Sequence, residues 1–265
     1  MVLLNFFLAE KNRAGLQCRK TAMPLTPISK TEKFRFSCGT GNPCFNRCCS
    51  GLELPITPYD ALRLCAALGI GSRDLLGNFL ALEIMPETGL PLAELKMLPE
   101  PGEPCPFVTP AGCRVYPDRP GACRVYPLGR ASKTGLGGIE ERFYLIREEH
   151  CKGFDNGDSQ TPSSWAASQK LEEYNRFNDL YMRLGSMLAA SGKPLPESLR
   201  DMAALCLYRL DDFKDFIIKM ELLRQLHAQE DVAGQILSAD RGGLEARLEF
   251  GFALLESCIF GRTQN

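Results

Sequence analysis

Phe36-Ser-Cys38-Gly-Thr-Gly-Asn-Pro-Cys44-Phe-Asn-Arg-Cys48-Cys49 is the stretch on which the reading of this chain turns. Glycine and proline fill the gap between Cys38 and Cys44, so the backbone bends there and the thiols sit in turns, not on an apolar stripe. Four more cysteines share that setting. Cys105 lies between Pro104 and Pro106, Cys113 follows Gly112, Cys123 follows Gly121-Ala122, and Cys151 precedes Lys152-Gly153. Ligand cysteines occupy such positions because the backbone must turn to aim several sulfurs at one point. Structural zinc takes four ligands and cubane iron–sulfur clusters take four cysteines. Cys38, Cys44, Cys48, Cys49, Cys105, Cys113, Cys123 and Cys151 therefore suffice for two centres. Neighbouring side chains in extended backbone point to opposite faces, so the vicinal pair Cys48-Cys49 is expected to serve two sites or two irons.

The surrounding composition narrows the chemistry. The chain has 265 residues, 12 cysteines and only two histidines, His150 and His227, which excludes multi-histidine metal sites. Thirty-one basic against 32 acidic residues give a net charge of −1, so bulk-charge binding of nucleic acid is not expected. No apolar run reaches the roughly 18 residues of a membrane span. Residues 2–9 are apolar but short, and acidic and basic residues follow them, the reverse of a signal peptide. Residues 1–30 read as a poorly ordered leader, with Met23 a candidate start. That points to the reducing cytoplasm, where clustered thiols are metal ligands more often than disulfides.

Cysteine and proline usage divide the chain. Nine cysteines lie between Cys38 and Cys151, and ten of the 18 prolines between Pro86 and Pro127. Proline lacks an N–H and fixes φ, so this segment is read as neither long helix nor central strand. Metal ligation is the natural source of its order. Thr57-Pro58-Tyr59-Asp60 opens a helix that Gly69 ends, and Ser72 is expected to cap a second running through Leu76 and Leu80. Residues 142–147 read as a strand, paired with residues around Val125 through Gly135–Gly138. From Trp165 onward apolar residues recur at helical spacing: Leu171 to Leu188, Leu199 to Leu205, Phe213 to Met220 after a break at Asp211-Asp212, and Leu244 to Ile259. The fold class is α+β. A small irregular cysteine-cluster domain with short helices and a hairpin covers 31–155, and a helical C-terminal region covers 156–265. Cys65, Cys206 and Cys258 lie in apolar stripes and read as buried small hydrophobes. His227 reads as a solvated helix end.

Cys-Arg-Val-Tyr-Pro occurs twice, at 113–117 and 123–127. The prolines predict extended backbone at Tyr116 and Tyr126. Arg114, Arg119 and Arg124 put positive charge near the sulfurs, which favours thiolates and suits an anionic centre; surface salt bridging is the plainer use of these side chains.

Taken together, Cys38, Cys44-Phe-Asn-Arg-Cys48-Cys49, Leu54-Pro-Ile-Thr-Pro-Tyr-Asp60, Cys105-Pro-Phe107, the Cys113–Leu128 run and Glu149-His-Cys151-Lys-Gly153 resemble the YkgJ-type cysteine-cluster family, the CxxCxxCC zinc- or iron-chelating domain. The resemblance spans about residues 34–155 and includes all eight turn-borne cysteines. The gaps here are five and three residues where the family name has two, so Cys38 and Cys44 need not serve one centre. The resemblance implies an iron–sulfur cluster or zinc. It also brings two labels, iron–sulfur oxidoreductase and flagellin lysine methylase. No glycine-rich strand-to-helix loop for S-adenosylmethionine accompanies the second. The expected function is a cytoplasmic protein that holds an iron–sulfur cluster, zinc or both, in electron transfer with a protein partner or electron donor. Neither nucleic acid nor membrane is expected as a partner. The alternatives are a protein-modifying enzyme and a structural zinc or disulfide-rich interaction module. His150 reads as a polar strand-end residue, with a proton relay as its sharper alternative.

Overall fold

Alternating apolar residues build one hairpin, with side chains of successive residues on opposite faces. In the computed structural model, which describes residues 25–135, 138–155 and 157–261, strands Leu128–Gly135 and Gly138–Ile146 pair antiparallel. Leu128 stands opposite Leu145, and Gly135 opposite Gly138. The glycine connection is thus as expected, but the partner strand begins at Leu128, because Val125 ends the short helix Gly121–Val125. Leu25–Ile28 adds to the free side of Gly138–Ile146, with Ile28 opposite Phe143. That strand removes Leu25–Ile28 from the leader expected over 1–30. The rest of that leader through residue 24, with Cys18 and Met23, lies outside the described residues.

Packing divides the described chain into two units, each drawn from separate stretches of sequence. One unit gathers the described residues through Leu52 with Pro99–Arg114 and Gly121–Asn175. The other gathers Glu53–Leu98, Val115–Pro120 and the residues from Arg176 on. The first Cys-Arg-Val-Tyr-Pro copy is therefore split after Arg114, while the second lies wholly in the first unit.

In the first unit the buried core is Ile28, Phe34, Phe36, Leu128, Phe143 and Leu145. Phe36 is its hub, in edge-on contact with Phe154 at 5.1 Å and with Tyr126 and Trp165 at 5.7 Å. Such aromatic pairs add to the area they bury. The Trp165 indole N–H donates to the Val125 carbonyl at 3.0 Å. A Thr161 capping box starts the helix Pro162–Ser168 that carries it.

The second unit is helical around a small sheet. Thr57 and Asp60 form the expected capping box on Pro58–Leu68, and Gly69 ends it at φ 63°. Ser72 is not a cap but the first residue of Ser72–Asn78. Asp211 accepts from its N–H and hydroxyl at 2.7 and 2.8 Å, and Leu80 opens a strand instead of extending the helix. Pro55–Ile56 and Leu80–Ile84 flank Pro91–Leu95, so a central strand does occur in the proline-rich stretch. It survives because Pro91 is its first residue and the next four have donors. The Tyr208 hydroxyl locks this sheet, donating to Ile56 O at 2.9 Å and accepting from Ala93 N at 3.3 Å.

The long helices follow the apolar stripes: Leu171–Ser191, which begins in the first unit, then Glu197–Tyr208, Leu210–Lys219 and Arg241–Phe260. The break comes at Arg209, two residues before the Asp211-Asp212 pair, which lies inside the next helix. Leu222–Gln225 and Glu230–Leu237 are shorter helices between them. Tyr59 stacks on Phe177 at 4.3 Å. Gly251 lets Arg241–Phe260 approach Glu197–Tyr208, since a Cβ there would stand 2.6 Å from Cys206 O. Among the described residues no helix is long and apolar enough to cross a membrane. The architecture is α+β.

Candidate metal centre

Turn follows turn from Cys38 to Cys49. Asn42 N donates to Gly39 O at 3.0 Å, Phe45 N to Asn42 O at 2.9 Å, and Arg47 N to Cys44 O at 2.9 Å. Asn46 then enters the left-handed region at φ 68° and its amide donates to Thr109 O at 2.8 Å. Arg47–Cys49 closes as a 3-10 turn. The vicinal pair is therefore not extended, and the premise that its thiols point to opposite faces does not hold. The Cys49 thiol instead hydrogen-bonds to Cys48.

Two further segments come up to this turn. Cys105 N donates to Cys49 O at 2.8 Å, and Gly51 N to Glu103 O at 2.9 Å. Cys113 is held opposite Val108 in a two-residue ladder. Gly112 there adopts φ 115°, with the Phe45 ring only 3.1 Å from the position of a Cβ, so glycine alone suits it. Cys123 is carried by the helix Gly121–Val125.

The sulfurs of these segments feel one another. The hydrogen bond from Cys49 brings the Cys48 thiol down from 9.0 to about 7, against partial desolvation and the Glu148 carboxylate. Cys49 is driven strongly upward by the same bond, by burial, and by Cys48, Cys123 and Cys105 around it. Burial raises Cys105, with Cys113 adding to the rise and Arg114 opposing it. Cys48, Cys49, Cys105, Cys113 and Cys123 thus form one electrostatic neighbourhood drawn from distant parts of the sequence.

Cys151 and Cys44 adjoin it. Lys152 N donates to Cys44 Sγ at 3.2 Å. Burial, Cys151 and Glu148 raise the Tyr126 hydroxyl well above its usual range. That oxygen is buried without a well-formed hydrogen bond. Cys38 is exposed and follows Ser37, whose N–H donates to Gly153 O at 2.9 Å. All eight turn-borne cysteines thus fall in the first unit. Cys65, Cys206 and Cys258 fall in the second, where Cys206 is buried as expected, Cys65 is half-buried and Cys258 is exposed. Cys258 lies on the outer side of its helix, which spacing alone did not distinguish.

The arginines are less available than their sequence positions suggest. Arg124 is buried, donates to Gln169 O at 2.7 Å and lies on the Tyr174 ring. Arg119 is in the second unit and covers Tyr116 at 3.8 Å. Arg114 acts on a thiol, lowering Cys105. The two repeat copies also differ in backbone. Tyr116 begins a 3-10 turn, contrary to the extended form expected, and the Tyr126–Pro127 peptide is cis. His150 follows the strand end with Nε2 3.5 Å from the Glu148 carboxylate, and His227 is exposed. Tyr126 and Glu148 are the site residues missed from sequence. The only signal for them was adjacency to Cys123 and Cys151 in the same short motifs.

The eleven described cysteines are thiols outside any disulfide. Among the described residues no three His, Cys, Asp or Glu side chains form a ready-made cage for an ion. The fit to a thiophilic metal lies in the donors and their proximity: five soft sulfurs in one neighbourhood, one thiol drawn down by its neighbour, and the buried Tyr126 hydroxyl without a well-formed bond beside Cys151. In comparisons with known proteins, residues 37–152 match the family model CxxCxxCC, "Putative zinc- or iron-chelating domain". No curated protein and no solved structure matches the chain.

Proposed function

We propose, from the match of residues 37–152 to the CxxCxxCC family model, that the chain holds an iron–sulfur cluster, zinc or both on thiolates from Cys38, Cys44, Cys48, Cys49, Cys105, Cys113, Cys123 and Cys151. The observation that carries this reading is the shared electrostatic neighbourhood of Cys48, Cys49, Cys105, Cys113 and Cys123. Thiols that raise one another's pKa are costly to ionise together, and a cation removes that cost.

When bound, an iron–sulfur cluster supplies one-electron transfer, whereas zinc supplies structural order worth about 10–16 kcal/mol in small domains. The chain's own residues have simpler tasks. The Asn46 amide and the Cys105–Cys49 backbone bond fix the spacing of the sulfur-bearing turns. Lys152 N donates to the Cys44 sulfur, the kind of contact that stabilises a thiolate. Cys48 and Cys123 are exposed, which leaves the centre open to a protein electron partner. This favours the redox reading over a purely structural one, in the cytoplasm.

Anaerobic purification followed by elemental analysis and visible absorption tests the proposal. Iron with sulfide and a broad band in the blue is the expected result. Colourless protein with stoichiometric zinc refutes the redox part, and protein without either metal refutes the whole. The Cys49→Ser variant should lose metal, and unchanged content removes Cys49 from the ligands.

A further inference from the structure

The second unit contains a cavity of about 350 Å³ between Pro58–Leu68, the turn Gly69–Gly71 and the helices that begin at Leu210 and Arg241. This is the size of small-ligand sites, and its chemistry is asymmetric. Leu62, Ile70, Leu207 and Leu244 supply apolar walls. The Cys65 thiol in the same wall is pushed up to about 12 by burial, so it stays neutral and acts as another apolar surface.

Three charged side chains line the cavity: Lys214, Arg247 and Asp211. Arg247 is 1% exposed and its guanidinium donates to the carbonyls of Ile236, Leu210 and Ser238 at 3.0, 3.3 and 2.7 Å. It is a fixed positive charge in the wall, bonded to backbone. Asp211 is engaged by Ser72. Lys214 is half-buried and makes no hydrogen bond or ion pair with any described residue. Two cations against one carboxylate leave the lining with one positive charge, and the ammonium group able to meet a ligand directly is the unpartnered one.

We propose that this cavity binds a small aliphatic monocarboxylate, with its acid group on Lys214 and its chain against Leu62, Ile70, Leu207 and Leu244. A single negative charge balances the lining, and a hydrocarbon body matches the walls. The site is independent of the cysteine centre, since every lining residue belongs to the second unit.

Calorimetric titration of the full chain with octanoate, 1-octanol and octylamine tests this. Octanoate should bind at one site per chain, octanol at least tenfold more weakly, and octylamine not at all. Lys214→Met should weaken octanoate at least tenfold. Ala66→Trp, at an exposed cavity-lining position, should abolish binding while thermal unfolding shows the fold intact. Octanol binding as tightly as octanoate, no octanoate binding, or octanoate binding unaltered by both variants would each overturn the proposal.

Discussion

Gly153→Ala is the sharpest probe of how the fold carries the cysteine turns. The added methyl would stand 2.5 Å from Phe36 Cε2 and 2.8 Å from Ser37 O. The ring cannot swing aside, because Tyr126, Phe154 and Trp165 hold its edges. Nor can the carbonyl, which is part of the backbone leading into Cys38. Overpacking of this kind costs about 1–3 kcal/mol. At about 2 kcal/mol, and roughly 2–4 °C per kcal/mol for a chain of this size, the melting temperature should fall by roughly 4–8 °C. Metal content should fall with it, since the bond from Ser37 N to Gly153 O ties the approach to Cys38 to the segment after Cys151. Gly41→Ala is the control: nothing lies within 4 Å of its would-be Cβ, so its melting temperature should match the wild type. Differential scanning calorimetry beside elemental analysis makes the measurement. Equal melting temperatures and equal metal content for the two variants would refute the packing argument.

Four other outcomes are expected. In metal-free protein, alkylation of Cys48 should rise with pH about a midpoint near 7, while Cys49 stays unreacted; mass spectrometry of the modified peptide reads both. Because the folded pKa of Cys48 is depressed from 9.0, its contribution to stability is complete above 9 and fades as pH falls through 7, so metal-free unfolding midpoints should drop across that window. Tyr126→Phe removes a buried hydroxyl without a well-formed bond and should leave metal-free protein as stable or up to about 1 kcal/mol more stable in urea melts. Thr57→Ala should cost about 1 kcal/mol by the same assay, through loss of its capping box.

What was legible in the sequence was local. Thr57-Pro58 and Gly69 acted as written because a cap needs only its own turn, and the stripes from Leu171 to Ile259 became helices because burial follows their period. The cysteines could be sorted by turn residues, and that sorting coincides with the two units. Non-local facts were hidden. Nothing near Ser72 announced that Asp211 would take its N–H. Nothing in Leu-Thr-Pro-Ile at residues 25–28 showed that a hairpin edge was waiting for it. The identical words Cys-Arg-Val-Tyr-Pro adopt different backbones because Val115 is buried in one unit while Val125 closes a helix in the other. The extended form assumed at Cys48-Cys49 yielded to the left-handed entry at Asn46, which its bond to Thr109 O sustains.

The polypeptide passes between its two units five times. Residues 37–152 are thus a contiguous sentence but not a contiguous object: Ile56 and Ala93 within them rely on Tyr208, and Tyr59 on Phe177, far beyond their end. Such a span cannot be lifted out and grafted elsewhere as a cassette. A ribosome that has released residue 152 has not yet supplied Phe177 or Tyr208, so the segments around Ile56, Tyr59 and Ala93 can pack only after the helical region has emerged.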